Sequence, residues 1–206
     1  ARRCATLARL SRLKVGIAGV LVTTASALIQ KCAPKSSMLD SSLHLKSGQS
    51  VDPTTLDNFL ITNGYTRTST VRERGEYAQR GGIVDIFSPT LAEPVRLDFF
   101  GDSLESIRRF DPETQRSTKQ LKSIEFAPVS EILFTDEAVS GFRTKFIEAF
   151  GTPAGDPMYE AARSKIRRQG IENWLPFFHS GLETPLDYFP EKVLPQNLLV
   201  IRLFLS

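Results

Sequence analysis

GEYAQRGGIVDIFSPTLAEPVRLDFFGDSLESIRRFDPETQR, residues 75–116, decides the fold through its alternation. In VRLDFF the apolar Val95, Leu97 and Phe99 alternate with Arg96, Asp98 and Phe100, so a strand sends three hydrophobes to one face. The other face receives an arginine, an aspartate and a phenylalanine. A strand's solvent face ordinarily avoids a large aromatic, whereas protein interfaces are enriched in Phe and Arg. That outward face is therefore a candidate binding surface.

On either side of VRLDFF the pattern continues as a sheet. YTRTSTVR, a hairpin-like step at Arg74-Gly75, EYAQRGGIVDIF, a Pro-bounded loop, VRLDFF, a Gly101-Asp102 turn and SLESIRRF predict a meander of antiparallel strands. Upstream, LHLK alternates as a short strand. Asp52-Pro53 then opens a helix as N-cap and first position, Gly64 closes it, and Leu56, Phe59 and Leu60 share one face. One helix packed on such a sheet makes an α+β unit over residues 41–123.

The flanks read differently. Residues 1–40 predict a helix in LARLSRLK, a buried strand in GVLVTT at 19–23, a helix over 25–31 and a break at Pro34, as in a βαβ layer of a parallel sheet. The Arg-rich start and Ala25-Ser26-Ala27 mimic a secretory signal, but the apolar run is too short to span a membrane, and the strand reading is preferred. Residues 124–206 turn helical. Thr135 and Asp136-Glu137 start a helix with Val139, Phe142, Phe146 and Phe150 on one side, and a second runs from Asp156-Pro157 to Gly170. The aromatic, Pro-broken tail then leads to a closing strand in NLLVIRLF.

Composition excludes disorder and fibrous classes, with 41% apolar and 24% charged residues among 206. Residues 1–39 hold seven Lys/Arg and no acid, which leaves direct DNA binding by a basic end as one possible function, on weak grounds. Cys4, Cys32, His44 and His179 have no metal-ligand spacing, and two lone thiols fit a reducing cytoplasm. No GxxxxGK[ST], HExxH or GxSxG occurs, so the sequence predicts no catalytic residues, no cofactor and no metal site.

Arg80 precedes Gly81-Gly82, which allow a bulge or a close backbone approach, and it lies near Arg96 and Phe100 in the expected sheet. Two readings stand for these three. They form one binding patch, or Phe100 packs under a loop while the arginines pair with Asp98, Glu105 or Glu76. Arg108, Arg109 and Arg116 form a second basic cluster, and Arg163, Lys165, Arg167 and Arg168 read as a solvated face near a helix end. Trp174, Phe177 and Phe178 read as core packing.

GEYAQRGGIVDIFSP, PVRLDFFGDSLESIRRFDPETQRS and GIENWLPFFHSGLETPLDYFP closely resemble the bacterial transcription-repair coupling factor family, in its N-terminal module similar to the excinuclease protein UvrB. The resemblance implies a degenerate helicase-like (RecA-like) lobe in two portions, residues 1–40 and 124–206, around an inserted α+β domain at 41–123 that docks on UvrA. It also places the family's UvrA-contacting residues on Arg80, Arg96 and Phe100. A non-catalytic recruiting role in transcription-coupled nucleotide excision repair, in the bacterial cytoplasm, follows from it. ATP, magnesium, RNA polymerase and duplex DNA are expected only for other domains of such a protein. A fragment of UvrB itself, a helicase-like ATPase that binds damaged DNA, is the alternative.

Overall fold

The computed structural model describes residues 2–14, 20–189, 194–195 and 200–202. Helices are α1 (Arg2–Leu10), α2 (Ala25–Ile29), α3 (Lys35–Asp40), α4 (Pro53–Thr62), α5 (Asp136–Phe150), α6 (Pro157–Arg163) and α7 (Leu175–Phe178). Strands are β1 (Val20–Val22), β2 (Leu43–Lys46), β3 (Thr66–Arg67), β4 (Glu76–Arg80), β5 (Ile83–Ile86), β6 (Val95–Phe100), β7 (Ser103–Phe110), β8 (Ser117–Leu121), β9 (Ser123–Phe126), β10 (Leu194–Pro195) and β11 (Val200–Arg202).

The centre is a six-stranded sheet in the order β3-β4-β5-β6-β7-β8. From β4 to β8 it is the antiparallel meander expected from the alternation. Val95 and Leu97 are fully buried, and Phe99 packs against the same core. On that inner face α4 lays Leu56 and Leu60, while the separate β2–β9 pair adds Leu45, Ile124 and Phe126. The α4 start is the expected one: the Asp52 carboxylate accepts from Thr54 N and Thr55 N, with Pro53 at the first position.

Two expectations for this sheet need correction. YTRTSTVR contributes only β3, and β3 lies parallel to β4, with Thr66 opposite Glu76. The Glu76 carboxylate accepts from Arg72 N and Glu73 N, so residues 68–75 fold back as a stapled loop in place of a hairpin. Of the two readings of Gly81-Gly82, the bulge is corrected: the pair is a two-residue hairpin turn between β4 and β5, since Arg80 pairs with Ile83. Gly81 has φ +58°, the left-handed region that this turn needs at its first position. The close approach is real: a Cβ on Gly82 would stand 2.5 Å from the Phe99 carbonyl oxygen.

The two flanks pack on one another. Leu7, Ala8 and Leu10 of α1 share a core with Met38, Ala127, Tyr188 and Phe189, and Tyr188 donates from its hydroxyl to the Ala33 carbonyl. β1 pairs with β11, and β11 with β10. Both pairings are antiparallel, which corrects the expected parallel βαβ layer. The five-residue α2 carries the chain to Cys32, whose backbone bridges to Glu183 from the other end of the sequence. Val22 is exposed, so β1 is not the fully buried strand expected. Gly19 at the start of GVLVTT and most of NLLVIRLF lie outside the described residues.

A third core joins α5 to α7: Phe142 is fully buried, with Phe146, Tyr159, Trp174, Phe177 and Phe178 all around it. The aromatic tail is packing, as its sequence suggests. α6 ends at Arg163 rather than Gly170, because Lys165 takes φ +57° and Ile166 N turns back to the Ala161 carbonyl. That reversal half-buries Arg167, which corrects its place on a solvated face. Its guanidinium donates to the Thr62 and Ile132 carbonyls and lies 4.7 Å over the Phe134 ring.

His179 links this core to the loop before α5, its Nε2–H donating to the Glu131 carbonyl at 2.8 Å. Burial holds its pKa below the usual imidazole value, outweighing that hydrogen bond and the nearby Glu131 charge. As pH falls the unfolded chain takes up the proton first. Stability is therefore full above about pH 6.5, the unperturbed value, and declines below it until the folded-state value is passed. Urea midpoints should fall between pH 7 and 5 in the wild type and fall less in His179→Gln. Parallel profiles would remove His179 as the source.

Candidate protein-binding site

β4 and β6 both run antiparallel to β5, so they run in the same direction and end on the same side of the sheet. Arg80 is the last residue of β4 and Phe100 the last of β6, and Gly81 and Gly101, both with φ +58°, turn the chain immediately after them. Ile83 opens β5 between them. The register sets Arg80 opposite Ile83 and Ile83 opposite Asp98, all on the face away from α4. Two strand positions down, Asp85 sits opposite Arg96 and Arg96 opposite Arg108.

Phe100 is 82% exposed, which removes the reading in which it packs under a loop. Its backbone is nevertheless fixed. Phe99 N donates to the Gly82 carbonyl at 2.7 Å, and beyond the turn Val51 N donates to the Asp102 carbonyl and Leu104 N to the Gln49 carbonyl. A large apolar ring is thus held in water on a rigid edge.

Arg80 and Arg96 meet on Asp85. Arg96 makes a bidentate pair, Nε to Oδ1 at 2.7 Å and Nη2 to Oδ2 at 2.9 Å, and Arg80 Nη2 reaches the same Oδ2 at 3.1 Å. This is the paired alternative, with a different carboxylate. Asp98 bonds instead to Ser106 and Arg108, while Glu76 staples its own loop. The bonds from Asp85 hold the Arg96 pKa above its ordinary value, against the cost of burial. Burial works against the Asp98 carboxylate, but its bonds to Ser106 and Arg108 keep it below the usual range.

The arginines differ in what they can offer a partner. Arg80 keeps 56% of its side chain exposed and Arg96 only 17%, while Asp85 is shut off from water beneath them. Phe100 stands four residues beyond Arg96, roughly 13 Å along the strand. The three predicted residues therefore share one face, with Arg80 and Arg96 joined through Asp85 and Phe100 at its rim. Two members were not singled out from sequence: Ile83, 38% exposed between Arg80 and Asp98, and the buried Asp85. The signal for Ile83 was present, since IVDI alternates just as VRLDFF does and sends Ile83 and Asp85 outward.

Other chemistry finds little support. No group of three His, Cys, Asp or Glu able to hold a metal occurs among the described residues. Cys4 and Cys32 are both buried, and burial pushes their pKa values up to about 11 and about 12, so neither is an activated thiol. Part of the basic N-terminus is engaged internally: Arg3 pairs with Glu131, Arg12 with Glu125, and Arg9 donates to the Thr90 carbonyl. That distribution does not make a phosphate-tracking stripe. No helix among the described residues is long and apolar enough to cross a membrane.

Residues 43–132, which contain this sheet and every residue of the face, match the family described as the UvrB interaction domain. The matched segment is flanked by sequence that is also matched in relatives. The chain is 35% identical over 190 residues to the transcription-repair-coupling factor of Haemophilus influenzae, covering 91% of this chain and 17% of that protein. It is 34% identical over 182 residues to that of Escherichia coli and 36% over 175 residues to that of Myxococcus xanthus. These matches cover 87% and 82% of this chain but 16% and 14% of the two relatives. The chain thus spans about a sixth of their length, and the family resemblance read from its motifs is borne out.

Proposed function

We propose that this chain recruits UvrA through the open end of its central sheet, in transcription-coupled nucleotide excision repair, and that it does so without catalysis of its own. The observation that carries the reading is Phe100, 82% exposed on a hydrogen-bonded strand end beside Ile83 and Arg80. Aromatic and arginine side chains at the centre of a patch are the residue types that dominate interface energies. The electrostatics favour a partner rich in carboxylates or carbonyls. Arg80 and Arg108 stand farther out than the carboxylates they pair with, Asp85 and Asp98, so the face presents donors.

In this reading residues 41–123 form the UvrA-docking domain, and 1–40 with 124–206 are two portions of a degenerate helicase-like lobe. The support is the shared core of α1 and Tyr188, and the β1–β11 pairing, which bring sequence ends together around the insertion. ATP, magnesium, RNA polymerase and duplex DNA would engage other parts of a coupling factor, acting in the bacterial cytoplasm.

Binding of this chain to purified UvrA tests the proposal. Ile83→Asp, which sets a charge beside Phe100 without disturbing the inner face, should weaken binding about tenfold or more. Wild-type affinity in that variant would place the interface elsewhere.

A further inference from the structure

The motif FDPETQR has no place in the interface as described, yet it folds against Arg96, the least exposed arginine of the face. Phe110, fully buried, lies 4.8 Å beneath the Arg96 guanidinium. The Asp111 carboxylate accepts from Glu113 N at 2.8 Å and Thr114 N at 2.9 Å, closing a tight turn. That turn delivers Gln115 in the left-handed region at φ 61°, where its carbonyl accepts from Arg96 Nη1 at 3.3 Å. The Gln115 side-chain amide then donates to the Val71 and Pro112 carbonyls, which ties the loop to the one between β3 and β4. From the other side Asp85 takes Arg96 Nε and Nη2, and with the same carboxylate takes Arg80.

We propose that Asp85 and the Phe110–Gln115 loop are positioning residues: they hold Arg96, and through the shared carboxylate Arg80, in the pose the partner meets, without touching the partner themselves. This rests on the UvrA-docking reading above. A free arginine side chain carries substantial rotamer entropy, and a guanidinium already fixed on three sides loses little of it on binding. Asp85 is too enclosed to reach another protein, and the Gln115 contribution is a backbone carbonyl turned inward on Arg96. Their effect must pass through the arginines.

The test uses Asp85→Asn and Gln115→Ala, with UvrA affinity and hydrogen exchange of the Arg96 Nε–H followed by nitrogen-resolved NMR. Asn keeps the shape of Asp85 but not its charge, and Ala releases the loop from Val71 while leaving the sheet intact. Both variants should speed Arg96 Nε–H exchange and weaken UvrA binding about tenfold, while backbone amide spectra of the sheet stay in place. Should Asp85→Asn fail to fold, Gln115→Ala alone carries the test. Faster Nε–H exchange with wild-type affinity would overturn the proposal, as would lost affinity with Nε–H protection intact, or no change in either. Phe100→Ala, measured beside them, separates the two levels: if it too binds like wild type, the docking reading has failed rather than the positioning one.

Discussion

Phe100→Ala is expected to lower the affinity for UvrA about thirtyfold or more, the ~2 kcal/mol that marks a central interface anchor, while leaving the thermal midpoint almost unmoved. The two halves of that expectation come from one fact. A ring that is 82% exposed makes few intramolecular contacts, so its removal is a surface change. The same ring buries most of its area only when a partner covers it, so the loss falls on the complex. Phenylalanine has two side-chain torsions to immobilise, and its backbone is already fixed by the Phe99–Gly82 and Val51–Asp102 hydrogen bonds. Phe100→Leu should recover part of the affinity, since an apolar side chain can still enter the same socket. If Phe100→Ala binds UvrA as the wild type does, the rim of this sheet is not the contact. A fall in thermal midpoint comparable to that of a core truncation would instead mean that the ring packs within the chain.

What the sequence discloses and what it hides follow from how far each interaction reaches along the chain. VRLDFF declares its two faces because strand alternation is local, and the burial of Val95 and Leu97 with Phe100 outward was legible at once. The Asp52-Pro53 cap is equally local, and the helix it opens lies where the sequence puts it. The partner of Arg96 was not legible. Asp98 and Glu105 are nearer in sequence than Asp85, and the choice is made by register: Asp85 faces Arg96 directly across β5 and β6. The sign of strand pairing is also non-local. The parallel β3–β4 pair depends on a loop stapled by Glu76, and β11 reaches β1 across the whole chain. Arg167 looked like one more cation of an exposed cluster, until the left-handed Lys165 turned it over the Phe134 ring and onto the carbonyls of Thr62 and Ile132. The family resemblance supplied the partner and the three residues, and the fold supplied Asp85 and Ile83 beside them.

Phe142→Ala should have the largest effect on stability, and it asks whether the binding face depends on the flank that carries it. Phe142 is fully buried among five rings, at centroid distances from 4.7 Å to Phe178 to 6.1 Å to Phe177. Truncating such a side chain costs about 3–5 kcal/mol, which for a chain of this size lowers the midpoint by roughly 10 °C. Trp174, the chain's single tryptophan, lies 6.0 Å from Phe142 and 5.4 Å from Phe146, so its fluorescence reports this core and no other. None of these rings belongs to the core under the six-stranded sheet, which is built from α4 and the inner strand faces. On heating Phe142→Ala, the Trp174 transition should therefore come well before the loss of UvrA binding, with affinity within about twofold of wild type below it. The opposing structure is specific: Val129 N bonds to the Asn63 carbonyl, Phe134 N to the Thr62 carbonyl, and Arg167 to Thr62 and Ile132, all at the C-terminal end of α4. If those links are strong enough to make the two cores one cooperative unit, fluorescence and binding will be lost at the same temperature. The sheet would then be a face of the lobe rather than a domain inserted into it.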